Sequence, residues 1–406
     1  MSSKNDSLVE YYKGHSFNPV LIRVENPDVW SSHFAKRRNL YDRHLGIPLG
    51  LMRGARILEF GPNSGENALL PALFGARLTL VEPNPQVLPR LRSLFEKFGL
   101  SDRLEAVECA GIGDYTPPNS DGFDVVMAEG FLYTLSNRVE MLRKIAQHVA
   151  SGRFGVISYN DRIGGLLELL RRAYLHRACR LHGIDDVNGE ESLALARVLF
   201  AEDFARLNSS RTLEAWWRDN LVNPFYAPEY LWSLPEVLDI VESEGCEFHG
   251  CSPVWTTIEH FNWYKNVQST ANRREQLLSE WRSRLGYFLT GLPPEQVALD
   301  AKPAAVEAAA DLAAALCECT RAGSTQAWPV YPAELSGYLA ASSDSRLRQF
   351  DDELSDLVAG LRSERLDLLT AAYHRATLTR TLWGTAYHYI SFQRIPEAGL
   401  GLAAAA

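Results

Sequence analysis

The stretch Arg56-Ile-Leu-Glu-Phe-Gly-Pro-Asn-Ser-Gly-Glu-Asn67 constrains this chain more than any other. Its apolar-rich beginning, 56–60, reads as a short buried strand of a parallel sheet. Gly61, Pro62 and Gly65 break that strand and turn the chain into 66–74, which has helical periodicity. Glycine serves where backbone must pass close to a ligand or take positive φ. A strand, a glycine turn and a helix in that order place a ligand at the C-terminal edge of a parallel sheet, beside a helix N-terminus. A second apolar run, Arg77-Leu-Thr-Leu-Val-Glu82, follows and also ends in a carboxylate. From that position an acid grips two ribose hydroxyls.

The pair of runs resembles the class I S-adenosylmethionine-dependent methyltransferases, whose first motif is acid-x-Gly-x-Gly-x-Gly. Glu59, Gly61 and Gly65 match it, and Asn63 stands at the middle glycine, a residue that tolerates left-handed backbone. A nucleotide dehydrogenase would need Gly-x-Gly-x-x-Gly to seat a pyrophosphate, and the order Gly61-x-x-x-Gly65 does not supply it. The resemblance implies an α/β fold, a Rossmann-like, doubly wound, seven-stranded sheet with large helical insertions, and S-adenosyl-L-methionine as cofactor. It implies that Glu59, Gly61, Pro62, Asn63 and Gly65 line the cofactor and that Glu82, with Pro83 and Asn84 after it, holds the ribose.

Core elements are expected at 56–60, 77–82, 103–107, 123–128 and 153–159 for strands, with helices at 66–74, 85–98 and 137–150. Alternating β and α elements argue for a parallel sheet with helices on both faces. Three further loops open on the same edge. In Glu108–Asp114, the family's adenine loop, Gly111 and Ile112 fit the ring side and Asp114 the polar contact. In Ala128–Leu135, the segment that closes over the transferred methyl, Glu129 and Tyr133 are placed to meet cofactor and substrate, Glu129 also as a proton acceptor. Ser158–Asp161 ends the last parallel strand, so Asp161 is a candidate to orient an acceptor hydroxyl or amine.

The resemblance covers about 45–160 and 236–262 and suggests a division of the chain. Residues 1–50 are expected as an N-terminal helical lid, 51–162 as the cofactor-binding core and 163–233 as a helical cap insertion. The core continues over 234–262, a second helical insertion fills 263–380, the final strand lies in 381–396, and 397–406 is a tail. The last two strands are expected near 246–257 and 386–394, as an antiparallel pair. In the lid, Asn26-Pro-Asp28 starts a helix whose one face carries Trp30, Phe34, Arg37, Leu40 and Tyr41. Tyr11 and Arg37 are its cofactor candidates, although the aromatics also suit core packing and Arg37-Arg38 a solvated corner. In the cap, Trp217, Phe225 and Tyr226 are candidate walls for the acceptor, or else a small helical core. His260, with Trp263 beside it as a substrate contact, is the first candidate for a catalytic base. Arg171, Arg172, Arg177 and Arg180 recur along one helix and read as a solvated face, or as contacts for phosphates.

Composition narrows the partners. A net charge of −9 over 406 residues argues against a nucleic-acid partner. No apolar run approaches the roughly 20 residues of a membrane span, and the six scattered cysteines fit a reduced, cytoplasmic protein. No metal site is expected, Cys317-x-Cys319 lying in an Ala-rich helical pattern. A homo-oligomer is compatible with all of this. The expected activity is methyl transfer to an oxygen or nitrogen of a small metabolite or sugar-type acceptor in biosynthesis. The alternatives are a macromolecule methyltransferase and a catalytically silent scaffold of the same fold.

Overall fold

A computed structural model of the chain describes residues 10–11, 22, 24, 26–118, 121–207, 212–225, 228, 231–256, 265, 269–293, 301–321 and 323–396. These residues fall into two compact units. One is drawn from Met1–Tyr159, Leu234–Val254 and His388–Ala406, the other from Asn160–Ser233 and Trp255–Tyr387. The two stretches expected as separate insertions thus contribute to a single second unit.

The first unit is built on a seven-stranded sheet in the order β3-β2-β1-β4-β5-β7-β6. Its strands are β1 (Arg56–Phe60), β2 (Arg77–Val81), β3 (Leu104–Glu108), β4 (Phe123–Ala128), β5 (Val149–Asn160), β6 (Cys246–Ser252) and β7 (Tyr387–Arg394). β1 through β5 pair in parallel, while β6 and β7 pair antiparallel although the larger stretch of the second unit, from Trp255 on, separates them in sequence. This is the α/β Rossmann-like sheet expected above. Ile57, Leu58, Phe60, Leu78, Leu80 and Val81 are buried, as strands covered on both faces require. β5 starts earlier than expected, at Val149, because its pairing with β4 shifts register between Phe123 and Val125 and left-handed Gly152 takes up the irregularity.

Helix Pro27–Asn39 begins as the sequence suggests, with the Asn26 side chain accepting from the N–H groups of Asp28 and Val29. Trp30 packs on Phe98 and Phe34 stacks on Phe74, so those aromatics serve the core. The helix runs on into a π-turn, Leu40–His44, which carries Tyr41 fully inside. Such turns reset the face a helix presents, often at functional sites.

The second unit corrects the reading of the arginine helix. Leu166–His182 is buried almost all round, and Arg171, Arg172 and Arg177 lie inside it. Arg171 donates to the carbonyls of Leu167, Arg380 and Leu382 and lies over the Trp383 ring. Arg172 donates to Thr320 and to the carbonyls of Asn220 and Asn223. Arg177 and Arg180 reach the carbonyls of Ser363 and Cys319. Guanidinium forks here satisfy backbone carbonyls in the interior, which leaves no solvated stripe and no open row for phosphates.

His176, on the same helix, lies 2.9 Å from the Leu221 carbonyl, and burial lowers its pKa to about 3. A group depressed from 6.5 contributes stability that is present above its unfolded pKa and lost as pH falls toward its folded one. Urea titrations between pH 6.5 and 4 should show this loss, up to about 1.4 kcal/mol per pH unit from this group. His176→Asn, which keeps a donor but does not titrate there, should flatten the slope by that amount.

Among the described residues no helix is long and apolar enough to cross a membrane.

Candidate cofactor site

The C-terminal ends of β1, β2 and β4 carry the turn, the acids and the loops singled out in the sequence. Gly61, Asn63 and Gly65 have φ of +66°, +51° and +88°. Asn63 is the one non-glycine residue in that region among the described residues, so it fills a left-handed position without being glycine. A Cβ at Gly61 would stand 2.6 Å from the Phe131 ring, and one at Gly65 would stand 3.1 Å from Leu91 on helix Leu88–Lys97. Backbone angle and close approach therefore both require glycine at 61.

Glu82 is buried and ties the turn to its own loop. Its two oxygens accept from the N–H groups of Asn63 and Asn84, each at 2.9 Å. Burial raises its pKa, and these two N–H groups pull the other way. Each carboxylate oxygen offers further lone-pair sites, so both can still accept from ligand hydroxyls. Asn84 in turn accepts from Gln86, Pro62 is buried, and Pro83 is exposed.

Glu59 lies deeper, 3% exposed at the end of β1. Burial, then the neighbouring Glu129 carboxylate, pushes its pKa up to about 8 against the pull of Arg37. Arg37 is equally buried and is no solvated corner: its Nη1 and Nη2 donate to the two oxygens of Glu129 at 2.6 and 2.9 Å. Tyr41 completes the triangle, donating to Glu129 at 2.8 Å and accepting from Arg37 at 2.9 Å. Arg37 is held more firmly charged by Glu129 and Tyr41 despite burial, and the Tyr41 hydroxyl is pushed well above its ordinary range by burial. His33, one turn before Arg37, is kept neutral, its pKa lowered to about 4 by burial and then by Arg37.

Four polar atoms here are buried without a hydrogen-bond partner among the described residues: Glu59 Oε2, Asn63 Oδ1, Arg37 Nε and His33 Nε2. Such orphans are uncommon in folded proteins and call for an explanation. A ligand that brings a cation, an anion and hydroxyls would satisfy this set of atoms, so the residues present fit an S-adenosylmethionine-type group.

The remaining loops are placed as follows. Gly111, Ile112 and Asp114 share one turn, in which the Asp114 N–H donates to the Gly111 carbonyl; Ile112 is buried and the Asp114 side chain is exposed. After Glu129, the Gly130 N–H donates to buried Ser158 at 2.7 Å, which pins the β4 loop to β5. Tyr133 lies in the 3-10 turn Leu132–Thr134. Tyr11 is half-buried. Asp161, in the second unit, accepts from the N–H groups of Ile163 and Gly164, which favours a capping role over contact with an acceptor. Trp217 is buried inside the second unit, with Nε1 3.4 Å from Ser192, and is a core residue there rather than the wall of an open pocket. Phe225 is half-buried, its N–H donating to the Asn223 side chain. Tyr226, His260 and Trp263 lie outside the described residues.

Sequence reasoning put Tyr41 on the Arg37 face but gave it no role, and it passed over His33. The available signal was the i, i+4 spacing of His33, Arg37 and Tyr41.

A cavity of about 230 Å³ lies elsewhere in the first unit, lined among others by Leu51, Arg53, Ala55, Asp124 and Arg153. Those residues sit at the beginnings of β1, β4 and β5, whereas the orphaned atoms cluster at the ends of β1 and β4, so the cavity is distinct from the site.

No family model matches the sequence, and no curated protein matches it. Solved structures with some likeness include an S-adenosylmethionine-dependent methyltransferase from Mesorhizobium loti, 21% identical over 28% of this chain and 50% of that one, with a TM-score of 0.25. The magnesium protoporphyrin IX methyltransferase ChlM of Synechocystis PCC 6803, with bound SAM, is 11% identical over 39% of this chain and 77% of that one, TM-score 0.31. The [4+2]-cyclase SpnF is 11% identical over 90% and 81%, TM-score 0.36. The chain spans about half the length of the first of these. At such identities and scores the likeness adds nothing to what the residues themselves carry.

Proposed function

We propose that this chain binds S-adenosyl-L-methionine at the ends of β1, β2 and β4 and transfers a methyl group to an oxygen or nitrogen of a small metabolite or sugar-type acceptor. One observation carries the reading. A buried carboxylate, Glu82, accepts from the glycine turn and from its own loop, where the resemblance expects an acid to hold the ribose, and Oδ1 of its partner Asn63 is buried without a partner among the described residues. The donor supplies an electrophilic methyl on a sulfonium sulfur. The chain's part is mainly to hold nucleophile, methyl and sulfur in line, which contributes several kcal/mol. Glu129 is already engaged by Arg37 and Tyr41, and His260 is the proposed base for an acceptor that must lose a proton. The net charge of −9 supports a small acceptor over a nucleic acid, and six free cysteines support a reducing, cytoplasmic setting.

Calorimetric titration with S-adenosylhomocysteine tests the reading. The wild-type protein should bind it, and Glu82→Ala should weaken binding by about 1.5–3 kcal/mol per charge-assisted hydrogen bond lost, roughly tenfold to a hundredfold. Glu82→Gln separates this from disorder of the turn, since an amide oxygen can still accept from one of the two loops. Equal affinity in the wild type and both variants would remove Glu82 from the site.

A further inference from the structure

The cavity near the beginnings of β1 and β4 takes no part in the candidate donor site, and its lining has a chemistry of its own. We propose that it is a second binding site, for a small amphipathic anion of the arylalkanoic-acid class: one aromatic ring on a short chain that ends in a carboxylate. The proposal stands independently of the methyl-transfer reading.

The walls are apolar. The turn Leu49–Met52 buries Leu49 and Met52 and sends Leu51 outward, 65% exposed. Ile47, Met52 and Val125 are buried where they line the cavity, and half-buried Phe154 adds an aromatic face. Covering such surface with a ring removes it from water, which stabilises the complex roughly in proportion to the area. The volume sets the size of that ring. An apolar cavity of about 150 Å³ holds benzene, so one of about 230 Å³ admits a single ring with a short side chain.

The charges set the head group. Among the lining residues two arginines, Arg53 and Arg153, stand against one acid, Asp124, which leaves one positive charge over. Asp124 uses both oxygens: Oδ2 accepts from the Arg56 N–H at 2.8 Å, and Oδ1 pairs with Arg153 Nε at 3.1 Å. The Arg56 side chain is turned elsewhere, donating to the Gly122 carbonyl and lying over the Phe123 ring. Arg53 is the charge left over. Its Cγ stands 3.7 Å from where a Cβ on Gly75 would lie, so the stem rests on that turn. No hydrogen bond or ion pair holds its guanidinium among the described residues.

One carboxylate balances the cavity, and the guanidinium fork takes it through two parallel hydrogen bonds. A phosphate ester brings more charge than the lining neutralises. An amine meets Arg53 with charge of the same sign. The carboxylate therefore sits at Arg53 while the ring fills the apolar part.

The test is an NMR titration of the full chain with 3-phenylpropionate and with 3-phenylpropan-1-ol, which keeps the ring and loses the charge. The acid should bind saturably with a Kd on the order of 1 mM or below, at least about threefold tighter than the alcohol. Arg53→Gln, at an exposed position, should weaken the acid about three- to tenfold and leave the alcohol unchanged. Asp124→Asn keeps an oxygen for the Arg56 N–H but releases the charge of Arg153, so it should tighten the acid. Saturating S-adenosylhomocysteine should leave the acid bound. Equal binding of acid and alcohol, an acid affinity unchanged in Arg53→Gln, or no gain in Asp124→Asn would overturn the proposal. Displacement of the acid by S-adenosylhomocysteine would overturn it too, by placing the acid in the donor site.

Discussion

Arg37→Leu is expected to destabilise the protein by about 3–5 kcal/mol, the cost of removing one partner from a buried ion pair. Leucine is close to the volume of the arginine stem, so the loss comes from the stranded Glu129 carboxylate rather than from a hole. That carboxylate would keep one hydrogen bond from Tyr41, and Glu59 would lose the cation that now offsets its burial. The neighbouring residue provides the control. Arg38 pairs with Asp42 at 3.3 Å with its side chain 66% exposed. Exposed i, i+4 pairs contribute about 0.3–0.5 kcal/mol, so Arg38→Leu should be nearly silent. Urea unfolding of the two variants side by side measures the contrast. A loss below about 1 kcal/mol in Arg37→Leu, within the range of exposed pairs, would mean that Arg37 and Glu129 are not a buried pair in solution.

The second large effect concerns Glu59 and pH. Its carboxyl is raised from 4.5 to about 8, chiefly by burial and then by Glu129. Between those values the folded protein holds a proton that the unfolded chain has released. The stabilising contribution is therefore complete below the unfolded pKa and is lost as pH rises through the folded one, by up to about 1.4 kcal/mol per pH unit. Glu59→Gln mimics the protonated acid and does not titrate. It should be more stable than wild type at pH 8 by on the order of 2–4 kcal/mol and should lack the descending limb. Glu59 is also expected to line the cofactor, so donor affinity should fall as stability rises, the usual trade at functional sites. Matched slopes in wild type and Glu59→Gln between pH 5 and 8 would place Glu59 in contact with water.

The two effects explain why part of this molecule could be read from its residues and part could not. β1, β2 and β4 announce themselves as apolar runs because strands covered on both faces cannot alternate. Tyr387–Arg394 alternates in sequence and is found paired antiparallel with Cys246–Ser252, its His388, Ile390 and Phe392 buried on one face. The left-handed turn was legible even with Asn63 in it, since asparagine accepts that backbone conformation.

Charged residues defeated the reading in both units. Arg171, Arg172 and Arg177 look like a solvated stripe to any rule that counts arginine as polar. They are interior because carbonyls of distant segments, such as Leu382, Asn223 and Ser363, need donors there, and separations of that kind leave no local trace. Arg37 was harder still to place. Its helix face was right, but the partner that draws it inside is Glu129, reached only once β4 lies beside β1. The unpartnered oxygen of Glu59 is legible only after both are in position.

A crystal structure of the protein grown with S-adenosylhomocysteine tests the central claim most directly. The account predicts the ribose hydroxyls on Glu82 and the adenosine between the glycine turn and the Gly111–Asp114 loop. Adenosine density away from Glu82, or an empty turn at saturating ligand, would contradict it.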